Sequence, residues 1–267
     1  METASLSNQL FATEIHSGDS LSNDRHFHPI YEFYYLCSGD IAYFTDDRII
    51  TLTAGDLLVL PPHTLHKSIP LENPIRKRIL LYVDTRFLQE LPGAYSLLPK
   101  TSVVYHLQGR EQISQLIYSL SHEYETQGNA MMLKCLFGEL LVRLSRQATI
   151  DVAPPIPHVT SDRILEVVAY LNEQYAQDIS LSKTAEHFYM NPSYLSRLFK
   201  ENTGFTFSEY LNKYRIKKAA ELLSDKSKNV TQIALSVGFN STNHFCKIFK
   251  KMIGTSPLTY RRKLQAD

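Results

Sequence analysis

The 267-residue chain has no tryptophan, ten glycines and three cysteines. Cys37, Cys135 and Cys246 are scattered without any CxxC spacing, which argues against a disulfide framework or a cysteine-built metal centre and fits a reducing compartment. No stretch approaches the roughly eighteen uninterrupted apolar residues of a membrane-spanning helix. The first twenty-five residues are polar and mixed in charge, without the basic and then apolar order of a secretory signal. The expected location is the cytoplasm, with no membrane partner. Charge of one sign is also lacking overall, since 28 Lys+Arg and 27 Asp+Glu leave a net +1.

That balance conceals an asymmetry. Residues 1–150 carry 12 basic and 16 acidic side chains, residues 151–267 carry 16 and 11, and the segment from Ser182 onward carries 15 and 6. A net +9 over the last third suits a polyanionic partner. At 43% hydrophobic and 21% charged, the chain is an ordinary globular sequence long enough for two cores.

Short alternating runs predict strands over 32–36, 41–45, 49–52, 56–60, 78–83 and 103–107, punctuated by Ser38-Gly39-Asp40, Asp46-Asp47 and Ala54-Gly55-Asp56. Such close spacing predicts an antiparallel sandwich or barrel, with Tyr31, Phe33, Tyr34, Tyr35 and Tyr43 as candidate cavity residues or plain core. The period then turns helical. Ile113, Leu116, Ile117 and Leu120 form one stripe, and Leu133, Leu136, Phe137, Leu140, Leu141 and Leu144 form a broader one that predicts packing on the barrel and pairing with a second subunit. A proline-rich stretch without periodicity follows. It divides the chain into a domain at 1–147, a linker at 148–160 and an all-helical domain at 161–267.

The helical part repeats itself. Phe199-Lys200, Gly204 and Tyr210 return fifty residues later as Phe249-Lys250, Gly254 and Tyr260. In each copy an apolar stripe (Leu195, Leu198, Phe199; then Phe245, Ile248, Phe249) leaves a small, polar or basic face opposite. Each such helix follows a short helix and a turn, the second turn built on Gly238, where a positive φ is expected. Two capped helices with such faces are suited to successive major grooves of double-stranded DNA. Arg215 falls on the inner side of the intervening long helix, which predicts a structural ion pair.

The residues Tyr194-Leu195-Ser196-Arg197-Leu198-Phe199-Lys200, Gly204, Phe207, Tyr210, Arg215, Ala219 and Leu222-Leu223 form an ordered signature. It continues with Ile233-Ala234, Val237-Gly238-Phe239, Phe245, Phe249-Lys250, Gly254, Pro257 and Tyr260-Arg261. On these residues the last hundred positions resemble the AraC/XylS family of bacterial transcription regulators. The resemblance implies two helix-turn-helix units joined by one long helix. Ser193, Ser196 and Arg197 would read base edges in one groove, and Thr242, Asn243, His244 and Lys247 in the next. Lys200 and Lys250 would hold phosphates.

His26, His28, Glu32 and Gly39, followed by Gly55, Pro61 and His66, resemble the two spaced motifs of the cupin superfamily, with Ser20, His63 and Pro70 as departures. The implied fold is a small β-barrel of the double-stranded β-helix type, carrying a helical hairpin. His26, His28, Glu32, Tyr34, Tyr43 and His66 become the candidate effector pocket. No cofactor is expected; His26, His28, Glu32 and His66 are the ligands of a divalent metal if one is bound. The resulting expectation is a non-enzymatic, homodimeric, metabolite-sensing regulator, its effector a sugar or sugar derivative, with RNA polymerase as partner if it activates. The alternatives are a metal-dependent cupin enzyme with an accessory helical domain, and a constitutive DNA-binding dimer.

Overall fold

The computed structural model describes residues 10–18, 28–46, 48–69, 76–126, 128–147, 162–225 and 227–266. The expected linker at 148–160, His26, Ser20 and Pro70 lie outside them. Eight described strands form two antiparallel sheets. One has the order β1 (Phe11–Gly18), β7 (Arg76–Asp84), β2 (Ile30–Ser38), β5 (Asp56–Leu60), β8 (Val103–His106). The other runs β4 (Arg48–Thr53), β3 (Asp40–Thr45), β6 (His66–Ile69). Strands β1 and β6 were not expected. The first is an edge strand in which burial alternates only over its second half, and the second is four residues long and mostly polar, so neither carries a strong apolar period.

Successive strand residues point to opposite faces, and this sorts the domain into layers. Tyr31, Phe33, Tyr35, Ile79, Leu81 and Val83 face outward, beneath α1 (Thr85–Gln89), α2 (Ala94–Leu97), α3 (Glu111–Thr126) and α4 (Ala130–Ser145). Their neighbours Ile30, Tyr34, Leu36, Leu80 and Tyr82 meet Ile41, Tyr43, Ile50 and Leu52 of the smaller sheet in a shared interior. The tyrosine run is thereby divided: only Tyr34 and Tyr43 look inward, whereas Tyr31 and Tyr35 belong to the core under the helices. In α4, Leu133, Phe137, Leu140, Leu141 and Leu144 are buried, while Met131, Met132 and Val142 are exposed.

The C-terminal part is built from α5 (Asp162–Gln174), α6 (Leu181–His187), α7 (Pro192–Thr203), α8 (Phe207–Leu222), α9 (Val230–Ser236), α10 (Thr242–Ile253) and α11 (Pro257–Ala266). Its helix ends are chemically explicit. Asn191 caps α7 with Pro192 at the first helical position, Ser241 caps α10, and Thr206 forms a reciprocal capping box with Glu209 at the start of α8. Gly204 and Gly254 end α7 and α10 in the left-handed conformation, each N–H returning to a lysine carbonyl, Lys200 and Lys250. Arg215 corrects one expectation. It is structural, but its Nε and Nη2 donate to the carbonyls of Tyr175 (2.7 Å) and Gln177 (2.8 Å), so backbone groups take the place of a carboxylate.

The outer face of the smaller sheet is covered by these helices. Ala42, Phe44, Ile49 and Leu65 share one core with Ile164, Val168 and Leu171 of α5, Phe199 of α7, and Phe207 and Tyr210 of α8. Polar contacts converge on the β3–β4 turn. The Asp46 carboxylate pairs with Lys217 and accepts from Leu65 N at 3.0 Å, while its carbonyl accepts from the Tyr210 hydroxyl, which lies 2.8 Å from Asn172 Oδ1. Beside this contact a cleft of about 380 Å³ is bounded by Arg48, Ser102, Asn172 and Lys217.

Phe44 is fully buried, its ring 6.2 Å from that of Tyr210. Phe44→Ala should lower unfolding free energy by about 3–5 kcal/mol. Since the contacts it removes join sheet to helices, the thermal transition should also separate into two; differential scanning calorimetry reads both effects.

Candidate effector pocket and nucleic-acid interface

Strand β2 carries Glu32 inward, opposite Leu60 of β5 and Tyr82 of β7. Glu32 is 3% exposed. His28, just before β2, brings Nε2 to 3.0 Å from its Oε2, and His66, opening β6 on the facing sheet, brings Nε2 to 3.3 Å. Each ring uses Nδ1 on a backbone carbonyl, His28 on Ile30 (3.1 Å) and His66 on Thr64 (3.0 Å). Because a carbonyl only accepts, Nδ1 carries the proton in both rings and Nε2 is the nitrogen presented to Glu32. Burial opposes the Glu32 charge, yet the hydrogen bonds and charges of the two imidazoles hold its carboxyl well below the usual carboxylate range.

The three ligand atoms lie within 4.8 Å of one another. Two imidazole Nε2 atoms and a carboxylate, each imidazole oriented by a backbone carbonyl, are a donor set that fits a divalent cation, and equally one that holds the hydroxyls of a polar ligand. Of the expected pocket residues, His28, Glu32 and His66 therefore meet at one place. Tyr34 and Tyr43 meet at another, edge to face with ring centroids 5.0 Å apart. His26 lies outside the described residues.

Beyond the tyrosines the interior turns cationic. Arg76 and Arg78 share the inward parity of Leu80 and Tyr82 on β7 and are 2% and 5% exposed. The Arg78 guanidinium carbon sits 5.9 Å from the centroid of Tyr34. Burial pushes the Tyr34 phenol up to about 12 even though the charges of Arg78 and Arg76 pull it down. Both arginines and Tyr82 went unselected in the sequence. Arg78 opens the strand expected over 78–83 and Arg76 precedes it, and only the pairing of β7 with β1 and β2 turns alternate members of Arg76-Lys77-Arg78 inward.

In the helical part, Ser193, Arg197 and Lys200 of α7 are exposed and Ser196 is half-buried; on α10, Asn243, His244, Lys247 and Lys250 are exposed and Thr242 is half-buried. The apolar faces of both helices are turned into the core through Leu195 and Phe199, and through Phe245 and Phe249. Arg197 extends over the ring of Tyr194, 5.8 Å from its centroid. Among the described residues no acidic side chain pairs with Arg197, Lys200, Lys247 or Lys250, so their charge is directed outward. Tyr189, in the turn between α6 and α7, is 94% exposed with φ 53°, where the second unit has Gly238 at φ 87°. The left-handed position was legible for the glycine and hidden for the tyrosine.

Comparison with known proteins places two domains on these two regions. The profile of an AraC-like ligand binding domain matches residues 11–141, and that of a helix-turn-helix domain matches residues 184–263. The HTH-type transcriptional activator RhaS of Salmonella schwarzengrund (strain CVM19633) is 27% identical over 246 residues, covering 89% of this chain and 87% of the relative. RhaS of Salmonella typhimurium is 26% identical over the same share. Among solved structures, the C-terminal domain of AraT, a response regulator from Geobacillus stearothermophilus, is 36% identical over 39% of this chain and 86% of its own (TM-score 0.38). ToxT from Vibrio cholerae O395 is 14% identical over 97% of this chain and 99% of its own (TM-score 0.40).

His63, next to the pocket and close to the Tyr260 ring, is 7% exposed with φ 63°. Burial, then the charges of His28 and Lys217, lowers its imidazole from 6.5 to about 3. Between those values the unfolded chain takes up a proton that the folded ring refuses, so stability falls as pH drops through this window, by at most about 1.4 kcal/mol per unit. His63→Asn, whose side chain accepts a left-handed backbone, should flatten that limb. Urea midpoints measured from roughly pH 4 to 7 decide it; an unchanged slope would show that His63 is not the group responsible.

Proposed function

The chain belongs to the AraC family of transcription regulators, a ligand-binding domain joined to a helix-turn-helix domain and not an enzyme family, and from that premise we propose that it reads DNA through α7 and α10 while its strand domain senses a small polar metabolite, a sugar or sugar derivative. In this reading Ser193, Ser196, Arg197, Thr242, Asn243, His244 and Lys247 face base edges. Arg197 is suited to two parallel hydrogen bonds with guanine and Asn243 to the same with adenine. Lys200 and Lys250 hold phosphates and set the docking. The observation that carries the proposal is the pair of capped helices, each with a buried aromatic face and outward cations that no described acid neutralises.

The effector subsite is His28, Glu32 and His66 with Tyr34 and Tyr43 beside it, His26 being the remaining candidate. The protein acts as a homodimer through the exposed side of α4, with RNA polymerase as its partner when it activates. The domains are taken as 1–147 and 161–267 joined by 148–160, in the cytoplasm. Effector binding shifts the balance between arrangements of the two domains only if it favours one of them. The smaller sheet is the natural route, since it contributes Tyr43 and His66 to one side and Phe44 to the other.

Arg197→Ala should cost about 1–3 kcal/mol on the specific site and relax preference at one base, whereas Lys250→Ala should weaken binding to all DNA about equally. Titrations against the upstream DNA and against scrambled duplex compare them; identical behaviour of the two variants contradicts the assignment. His66→Ala should keep DNA affinity within about twofold and lose the response to candidate sugars, since its side chain is buried against Glu32 and takes no part in the exposed faces of α7 and α10. Stoichiometric divalent metal in the purified protein, lost in this variant, would instead identify the His/Glu cluster as a metal centre.

A further inference from the structure

Arg76 is the one described side chain whose whole charged group is buried without use. It is 2% exposed, and among the described residues nothing accepts a hydrogen bond from its Nε, Nη1 or Nη2. Among the described residues, Glu32 is engaged by His28 and His66, Glu14 by His16 at 2.9 Å, and Asp56 by His106 and by Thr53 N at 2.7 Å, so none of these acids answers it. A buried guanidinium left in this state is costly, and a well-packed apolar side chain would be the more stable occupant. Five donors in a planar fork match a carboxylate or a phosphoryl group.

The setting supports a ligand. Arg76 and Arg78 lie on the same inward face as Tyr82, which stands opposite Glu32, and Arg78 pairs with Leu36 four residues along β2 from that glutamate. At about 3.3 Å per residue, the backbones of Arg78 and Arg76 stand roughly 13 Å and roughly 20 Å along β7 from Tyr82 at the His/Glu end. Tyr34 and Tyr43 occupy the space between them, and Arg78 is seated against the Tyr34 ring. The interior thus offers hydroxyl-binding groups toward one end and, toward the other, the Arg76 guanidinium that no described acceptor meets.

We propose that the effector is an anion, a polyhydroxylated metabolite carrying a carboxylate or phosphoryl group, and that Arg76 binds its oxyanion with Arg78 and Tyr34 as neighbours. The inference rests on reading the strand domain as the effector pocket. It separates acidic sugars and sugar phosphates from neutral sugars, which would leave the Arg76 guanidinium unanswered.

Thermal unfolding of the full chain tests it, with inorganic phosphate and acetate as probes against chloride at equal ionic strength, and with a mixture of neutral monosaccharides as a third arm. For wild type, phosphate or acetate should raise the midpoint, and which of them does so distinguishes phosphoryl from carboxylate. Arg76→Met should melt at or above the wild-type midpoint in chloride, by up to about 2–4 °C, and its affinity for the anion should fall about tenfold or more. Arg76→Lys, which keeps the charge without the fork, should retain part of the response. Equal anion responses in wild type and Arg76→Met overturn the assignment, as does an Arg76→Met protein less stable than wild type, which would make the guanidinium structural. A response of both proteins to neutral monosaccharides alone overturns the anion and keeps the pocket. Silence of both toward every probe removes the anion and the pocket together.

Discussion

A strand cannot choose the faces of neighbouring residues independently, and that constraint governs this molecule at β3 and β6. Tyr43 looks into the strand domain because Phe44 looks out of it, and the outer side of this small sheet is where α5, α7 and α8 are seated. The sheet is therefore a wall shared by two cores rather than the cover of one. A side chain that shifts on its inner side, where His66 meets Glu32, must be accommodated by a backbone whose other side is packed at interior density. The Asp46 turn fixes the edge of the same wall by giving its carbonyl and its carboxylate to two residues of a single helix, Tyr210 and Lys217 of α8.

The helical part answers with one long element. Buried positions of α8 serve both halves: Phe207, Tyr210 and Leu211 belong to the core that includes α7, and Ile216, Ala219 and Ala220 to the core that includes α10. Arg215 stands at the changeover. Its bonds to the Tyr175 and Gln177 carbonyls tie the connection after α5 to this helix. The two reading helices are thus held by a common rod, and the sheet grips that rod near its N-terminal half.

Much of this was legible in the chain. Alternation located β2 to β5, β7 and β8, and the fifty-residue echo located both helix-turn-helix units with their caps, because Asn191-Pro192, Ser241, Gly204 and Gly254 carry local rules that need no tertiary information. The resemblance to the cupin motifs implied a meeting of His28, Glu32 and His66, three groups that do lie together. What remained hidden depends on pairing between distant strands. Arg76 and Arg78 carry no mark of an inward face until β7 is set between β1 and β2. Whether Tyr31 and Tyr35 line a cavity or are plain core stays open in the sequence until the helical hairpin is seen to lie over them. The seat of α8 on the smaller sheet has no signature at all, since apolar residues at 42, 44 and 49 read the same whether a domain core or a docking face lies beyond them.

The turns of the two helix-turn-helix units carry unequal histories. At Gly238 an added Cβ would stand 2.8 Å from the Tyr175 carbonyl and 2.8 Å from Arg215 Nη2, besides the cost of φ 87°. At the matching place in the first unit, Tyr189 bears a left-handed backbone with its ring in open solvent. One member of the duplication is consequently held to its smallest residue, while the other carries a large side chain in open solvent. Divergence of the two halves is expected to accumulate at the first turn, the side on which the shared rod makes no demand.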